Sequence, residues 1–299
     1  MEHGGGPDRV SVLRGSRVVP LVPGRPQFSS ADSPWRGIVI EQHTVGSIEI
    51  PQHEHASFCL HLQTRGNVGL EWWCDGQHGL EKPKEGALIL LGAGTSDRLR
   101  WDGTSDRLIV SLDAAFMERV AHEAGAAVLP SFANRWHLRD ESLRALLTEM
   151  GREAQVGWPA GALYGELLGL SLASTLLRSH GSEPVAFAQT RGGIPLPRLR
   201  RLLEYVEAHL AGDLRLEQLA GEVGMSPFHF AHAFRASTSV TPHQYVLQQR
   251  VERSKSLLRV AHLSLAEVAA EAGFSSATNF VRSFRERVGV TPGEWRLRA

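Results

Sequence analysis

The feature that most limits what this chain can fold into is an internal repeat near its C-terminus. LEQLAGEVGMS, Leu216–Ser226, returns as LAEVAAEAGFS, Leu265–Ser275, 49 residues later. The match continues at a displacement of 50: Phe234-Arg235 with Phe284-Arg285, Val240-Thr241-Pro242 with Val290-Thr291-Pro292, and Tyr245 with Trp295. One residue is therefore inserted in the second copy, in the region of its second helix. Each copy reads as helix, turn, helix. Leu, Val and Ala recur at packing spacing, and then Gly224 or Gly273 offers the left-handed conformation that ends a helix with little steric cost. Met225 or Phe274 plugs the angle. Ser226 or Ser275 caps the next helix, which ends around a core aromatic, Phe234 or Phe284. Ser264 and Glu267 spell a capping box before the second copy. The first copy has Arg215 and Gln218 there, so its cap must come from elsewhere, with Asp213 the nearest candidate.

One glycine turn between two helices is a weak signal. Two of them, joined by the amphipathic stretch Pro242–Arg259, are specific. Two rigidly linked helices can enter successive major-groove segments, which recur every ~34 Å on one face of DNA. Charge agrees: Leu196–Ala299 carries 14 Arg/Lys against 10 Asp/Glu, whereas the whole chain has 32 of each. A mildly basic unit on an acidic body suits a DNA-binding module attached to something else.

The stretch from about Arg198 to Arg296 is similar to the DNA-binding domain of the AraC/XylS family of bacterial regulators. The residues that carry the resemblance are LEQLAGEVGMSPFHFAHAFR, TPHQYVLQQRVERSKSLLR and SLAEVAAEAGFSSATNFVRSFRERVGVTPGEWR. It covers about 100 residues, a third of the chain. The resemblance implies double-stranded DNA as a partner, a homodimer and contact with RNA polymerase. It puts base contacts in the first recognition helix at Phe228, Ala231 and His232. Pro227, His229 and Arg235 are also read as outward there, with Phe230 and Phe234 in the core. In the second recognition helix, Thr278, Asn279 and Arg282 have the chemistry to read bases, since Asn suits adenine and Arg guanine. Arg285 and Arg287 fall further along, where phosphate is the natural partner. Ser226, Ser275 and Ser276 stand at helix starts, where backbone N–H groups favour a phosphate or the serine serves as a cap. Arg250 is expected to form an internal ion pair.

Ahead of this unit the pattern is β. Residues 1–30, rich in Gly, Pro, Arg and Ser, read as a mobile arm. Short alternating runs then follow to about Leu112, with turn signals at Asp75-Gly76 and Asp102-Gly103. Ala114–Glu123, Glu141–Gln155 and Ala160–Ser179 are helical, and the last is apolar over so wide an arc that it must be buried, in its own domain or against a second subunit. Residues 181–195 read as a linker between a domain at 31–180 and the DNA-binding domain at 196–299. The expected fold class is α+β: an N-terminal cupin-like β-barrel with trailing helices, then an all-α domain with two helix-turn-helix motifs.

PQHEHASFCLHL, Pro51–Leu62, places His53, His55, Cys59 and His61 at one parity, so that one face of an extended strand could offer three imidazoles and a thiol to a metal. The β-rich part resembles the cupin-like sensors of this family. Metal-binding cupins follow His-x-His with a Glu and later supply another His. Here no such Glu follows, and Asp97 stands where the later His would be. The expectation is therefore no metal or other cofactor, and a polar-lined pocket for a small organic effector, formed by His53, His55, His61, Trp73 and Asp97. Indoles at Trp72, Trp73 and Trp101 could line it or fill the core. Of Trp72 and Trp73, at most one points inward. The pentapeptide Thr-Ser-Asp-Arg-Leu occurs twice, at Thr95–Leu99 and Thr104–Leu108, and ion pairing within a hairpin would account for it.

The two cysteines, Cys59 and Cys74, are too few for a disulfide scaffold. MEHGGGPDRV lacks a basic-then-apolar run, and no stretch approaches membrane-spanning length, so a cytoplasmic regulator without membrane contact is expected. The alternative is a cupin-type metal-dependent enzyme fused to a DNA-binding domain; the missing Glu and Asp97 in place of the later His count against it, so no enzyme activity is expected.

Overall fold

The computed structural model describes residues 9–30, 33–126, 128–158, 160–182, 192–260 and 262–298. The chain divides into a β-rich unit, 1–157 with 168–188, and a helical unit, 158–167 with 189–299.

The β-rich unit contains two six-stranded antiparallel sheets. The first runs β2 (Arg17–Pro20), β1 (Ser11–Arg14), β5 (Ile48–Glu54), β10 (Ser96–Trp101), β7 (Leu70–Cys74), β8 (Gln77–Glu81). The second runs β12 (Arg135–Leu138), β9 (Leu88–Leu91), β6 (Phe58–Arg65), β11 (Ser105–Leu112), β4 (Ile38–Val45), β3 (Phe28–Ser29). Their burial patterns differ for a physical reason. β10 alternates exposed and buried, as expected when one face meets water. β6 and β9 are buried at nearly every position. The sheet containing them has side chains on a shared core with Val12, Ile50, Leu70 and Trp101, while its other face is covered by helix α2 (Glu141–Gln155). Helix α1 (Ala114–Glu123) precedes α2, and α3 (Gly161–Ser179) follows it.

The stretch read as a mobile arm is folded from residue 9 onward. Val10, Val12, Leu21 and Val22 are buried, β1 pairs with β5, and Arg9 forms an ion pair at 2.7 Å with the buried Glu41. Alternating Val residues outweigh the Gly and Pro content there. Residues 1–8 lie outside the described residues, as does most of the expected linker, 183–191. The apolar arc of α3 is accounted for within the chain, where Leu168, Leu172, Leu176 and Leu177 are buried.

The helical unit contains α4 (Leu196–Ala208), α5 (Leu216–Glu222), α6 (Pro227–Thr238), α7 (Pro242–Leu258), α8 (Leu265–Ala272), α9 (Ala277–Val288) and α10 (Pro292–Arg298). Aromatic pairs build both cores: Phe230–Phe234–Tyr245 in the first, Phe280–Phe284–Trp295 in the second. Thr241 with Gln244 and Ser264 with Glu267 close reciprocal capping boxes. Among the described residues, no helix is long and apolar enough to cross a membrane.

Candidate functional site

Two places concentrate chemistry, one in each unit. In the β-rich unit, His53 and Asp97 face each other in register across β5 and β10. Two steps along β10, from Asp97 to Leu99, match three along β5, from His53 to Ile50, so β5 carries one extra residue beside Pro51. The backbone N–H of His55 donates to the Thr95 carbonyl at 2.8 Å, which sets His55 beside the start of β10. The three side chains converge. His53 Nε2 lies 3.2 Å from His55 Nε2, and Asp97 Oδ1 lies 3.6 Å from the first and 3.0 Å from the second. All three are buried, with Asp97 0% exposed. His53 Nδ1 donates to the Pro51 carbonyl at 2.9 Å. Burial lowers the His53 pKa despite the opposing pull of Asp97.

Cys59 and His61 do not join this cluster, which corrects the single-face expectation. The strand breaks between Glu54 and Phe58, so the two pairs sit on different sheets and their parity is unrelated. Both ring nitrogens of His61 are buried without a hydrogen-bond partner among the described residues, and burial holds its pKa well below the ordinary value. Burial likewise pushes the Cys59 thiol far up and the Cys74 thiol to about 11. Trp73 also lies elsewhere. Arg98 sits over its ring at 3.8 Å and His78 stacks on it, on the face away from the core. Trp72 points inward instead and stacks on Trp136 at 4.8 Å.

The repeated pentapeptide does not pair with itself. Its copies lie on β10 and β11, in different sheets, with opposite parity. Asp97 is inside and Arg98 outside. In the second copy Arg107 is buried, donating to Gln63 Oε1 at 2.9 Å and Ser105 Oγ at 3.0 Å, and Asp106 accepts from Thr44 toward solvent.

In the helical unit, the two helix-turn-helix motifs share one frame. Ser226 caps α6 and Ser276, not Ser275, caps α9, each through a hydrogen bond from the third backbone N–H of the helix. The extra residue of the second copy is thus Ser275 in the turn, and the recognition helices superpose at a displacement of 50 throughout. Phe228 matches Thr278, His229 matches Asn279, His232 matches Arg282 and Arg235 matches Arg285.

Thr278, Arg282 and Arg285 are exposed along one face of α9, beside a concave surface that also includes Val281 and Gly289. Neither arginine has an ion-pair partner among the described residues. Asn279 is a correction: it is 5% exposed, and its side-chain amide donates to Ser275 Oγ at 2.9 Å, so it braces the turn. Phe228 is a second correction. It is 4% exposed, with its ring 4.8 Å from that of His232. On α6 the exposed polar residues are His232 and Arg235, with His229 half-buried against Ser226. Burial first, then the nearby His229 and Arg235, lowers the His232 pKa.

Arg250 donates to the Leu210 and Gly212 carbonyls at 3.0 and 2.8 Å, in place of the expected ion pair, for which it has no partner among the described residues. The cap missing from α5 is Glu166 of α3, whose Oε2 accepts from the Leu216 backbone N–H at 2.8 Å. Glu166 lies 50 residues upstream of Leu216, so no local signal reveals it; its position in an apolar helix is the one hint.

Residues 219–298 match a family model described as a helix-turn-helix domain. The chain is 27% identical to the regulatory protein PocR of Salmonella typhimurium over 60% of each chain. It is 34% identical to the virulence regulon transcriptional activator VirF of Yersinia enterocolitica, over 40% of this chain and 43% of VirF. The chain thus spans less than two thirds of either relative. Among solved structures it is similar to the DNA-binding domain of the global transcriptional factor AdpA in complex with a target DNA, at 31% identity, covering 34% of this chain and 91% of that one, with a TM-score of 0.33. The C-terminal part of the chain is an AraC-type helix-turn-helix DNA-binding domain.

Proposed function

We propose that the protein is a sequence-specific transcription regulator, cytoplasmic and homodimeric, whose cupin-like β-rich unit takes a small effector and which engages RNA polymerase at its sites. The observation that carries this reading is α9. A capped helix follows a left-handed glycine turn and offers Thr278, Arg282 and Arg285 to solvent on one face. That is the form in which a recognition helix meets base edges and phosphates. The buried polar cluster of the β-rich unit supports an effector there, since polar groups in a core need partners. No catalytic residue is assigned. The test is genome-wide mapping of DNA bound by the chain in its host, with transcripts measured with and without the gene. Reproducible sites beside genes whose transcripts change are expected; bound DNA without a shared sequence would overturn the proposal.

A further inference from the structure

The geometry points to a divalent transition-metal site formed by His53, His55 and Asp97 in the β-rich unit. It does not depend on whether the chain regulates transcription. Zinc-type ligands at ~2.0–2.1 Å in tetrahedral array stand roughly 3.3 Å apart, and at right angles roughly 2.9 Å apart. The three donor atoms here are separated by 3.2, 3.0 and 3.6 Å, the triangle that one ion would hold.

Hydrogen bonding leaves the same place unsatisfied. Both carboxylate oxygens of Asp97 are buried without a hydrogen-bond partner among the described residues, although His55 Nε2 is only 3.0 Å away. The two imidazoles are in hydrogen-bond geometry with each other, but no N–H is aimed at Asp97, whose Oδ1 lies close to both rings. Protons alone do not resolve this. His53 carries its proton on Nδ1, given to the Pro51 carbonyl, so its Nε2 presents a lone pair. If His55 donates to that lone pair, Asp97 accepts nothing, which is strongly disfavoured for a buried carboxylate. A cation satisfies all three at once. The Pro51 contact is then the outer hydrogen bond that orients a metal-binding imidazole.

The frame is built in advance. The extra residue in β5 aims His53 at Asp97, Thr95 fixes His55, and Asn134 holds the neighbouring turn by accepting from Gly92 N–H and the Thr95 hydroxyl. Exposed Glu54, Ala56, Gly94 and Ser96 flank the site, so solvent lies one residue away. Two imidazoles and a carboxylate suit Zn²⁺, Fe²⁺ or Ni²⁺ better than Mg²⁺ or Ca²⁺. Three protein ligands leave further positions for water or for oxygen atoms of a small molecule.

The test uses the full chain, stripped with a chelator and dialysed, and Co²⁺ as the probe. One equivalent is expected to bind, with visible d–d bands that Zn²⁺ abolishes. A paramagnetically shifted ring N–H signal from His53 Nδ1 is also expected. His55→Gln and Asp97→Asn should each weaken binding by more than about 100-fold, while His78→Gln, exposed on β8 and paired with Glu71, leaves it unchanged. Melting curves establish that each variant is folded, and the wild-type stoichiometry and shifted signal decide the matter if one is not. A folded wild-type chain that takes up no Co²⁺, or folded variants that bind as well as the wild type, would overturn the site.

Discussion

Phe228 and Thr278 occupy the same place in the two recognition helices, and only Thr278 reaches solvent. Further along, His232 stands where Arg282 stands, with burial favouring its neutral form. The second helix therefore offers a hydroxyl and a permanent cation where the first offers a covered ring and an imidazole. Phe228→Ala is expected to act through the fold, at about 3–5 kcal/mol of stability for a buried aromatic. Urea unfolding of the variant reads this directly. Normal stability with lost DNA affinity would instead place the ring on DNA.

Gly224 and Gly273 end α5 and α8 with φ of +66° and +91°, yet their surroundings differ. A Cβ at Gly224 meets nothing within 4 Å, whereas one at Gly273 would overlap the Leu210 carbonyl oxygen that Arg250 also binds. Gly224→Ala should cost only the left-handed backbone penalty, roughly 1–2 kcal/mol. Gly273→Ala should cost clearly more. Thermal melts of the two variants compare them, and equal losses would contradict the crossing of Leu210 over the second turn.

Glu166→Ala removes the acceptor for the Leu216 N–H. Loss of such a cap costs about 0.5–2 kcal/mol. Amide hydrogen exchange should quicken at Leu216 and the residues after it, and not in α8. Unchanged protection at Leu216 would show that another group caps α5.

His243 stacks on Tyr164, and burial, with Arg287 and Arg250 nearby, lowers its pKa from 6.5 to about 4. Folding thus favours the neutral ring. Its contribution is complete above pH 6.5 and is lost as pH falls from there toward about 4, because the unfolded chain takes up the proton first. The full shift corresponds to at most about 3 kcal/mol, and partial exposure of the ring lowers that. His243→Gln should flatten the dependence of the unfolding midpoint on pH in this window. An unchanged slope would assign it to other groups.

What the sequence made legible was local. Gly224, Gly273 and the Ser264–Glu267 box each act within a few residues, and each is where the repeat puts it. Positions that depend on contacts distant in sequence were not legible. Asp97 joins His53 only through the pairing of β5 with β10, and Glu166 caps a helix 50 residues away. Parity misled at Cys59 and His61 because a turn resets it. Asn279 looked like an adenine reader by type, but the extra serine before α9 gives its amide a partner in the turn.

The most direct test of the uneven reading is a base-substitution scan of one bound DNA site, at fixed salt, with the wild type and Arg282→Ala. A loss of about 1–3 kcal/mol per protomer is expected, with discrimination relaxed at one or two adjacent base pairs of the stretch that each protomer covers and retained over the rest of that stretch. Unchanged affinity, or a loss spread evenly over the whole stretch that one protomer covers, would contradict the placement of Arg282 at the bases and of α9 as the dominant reader.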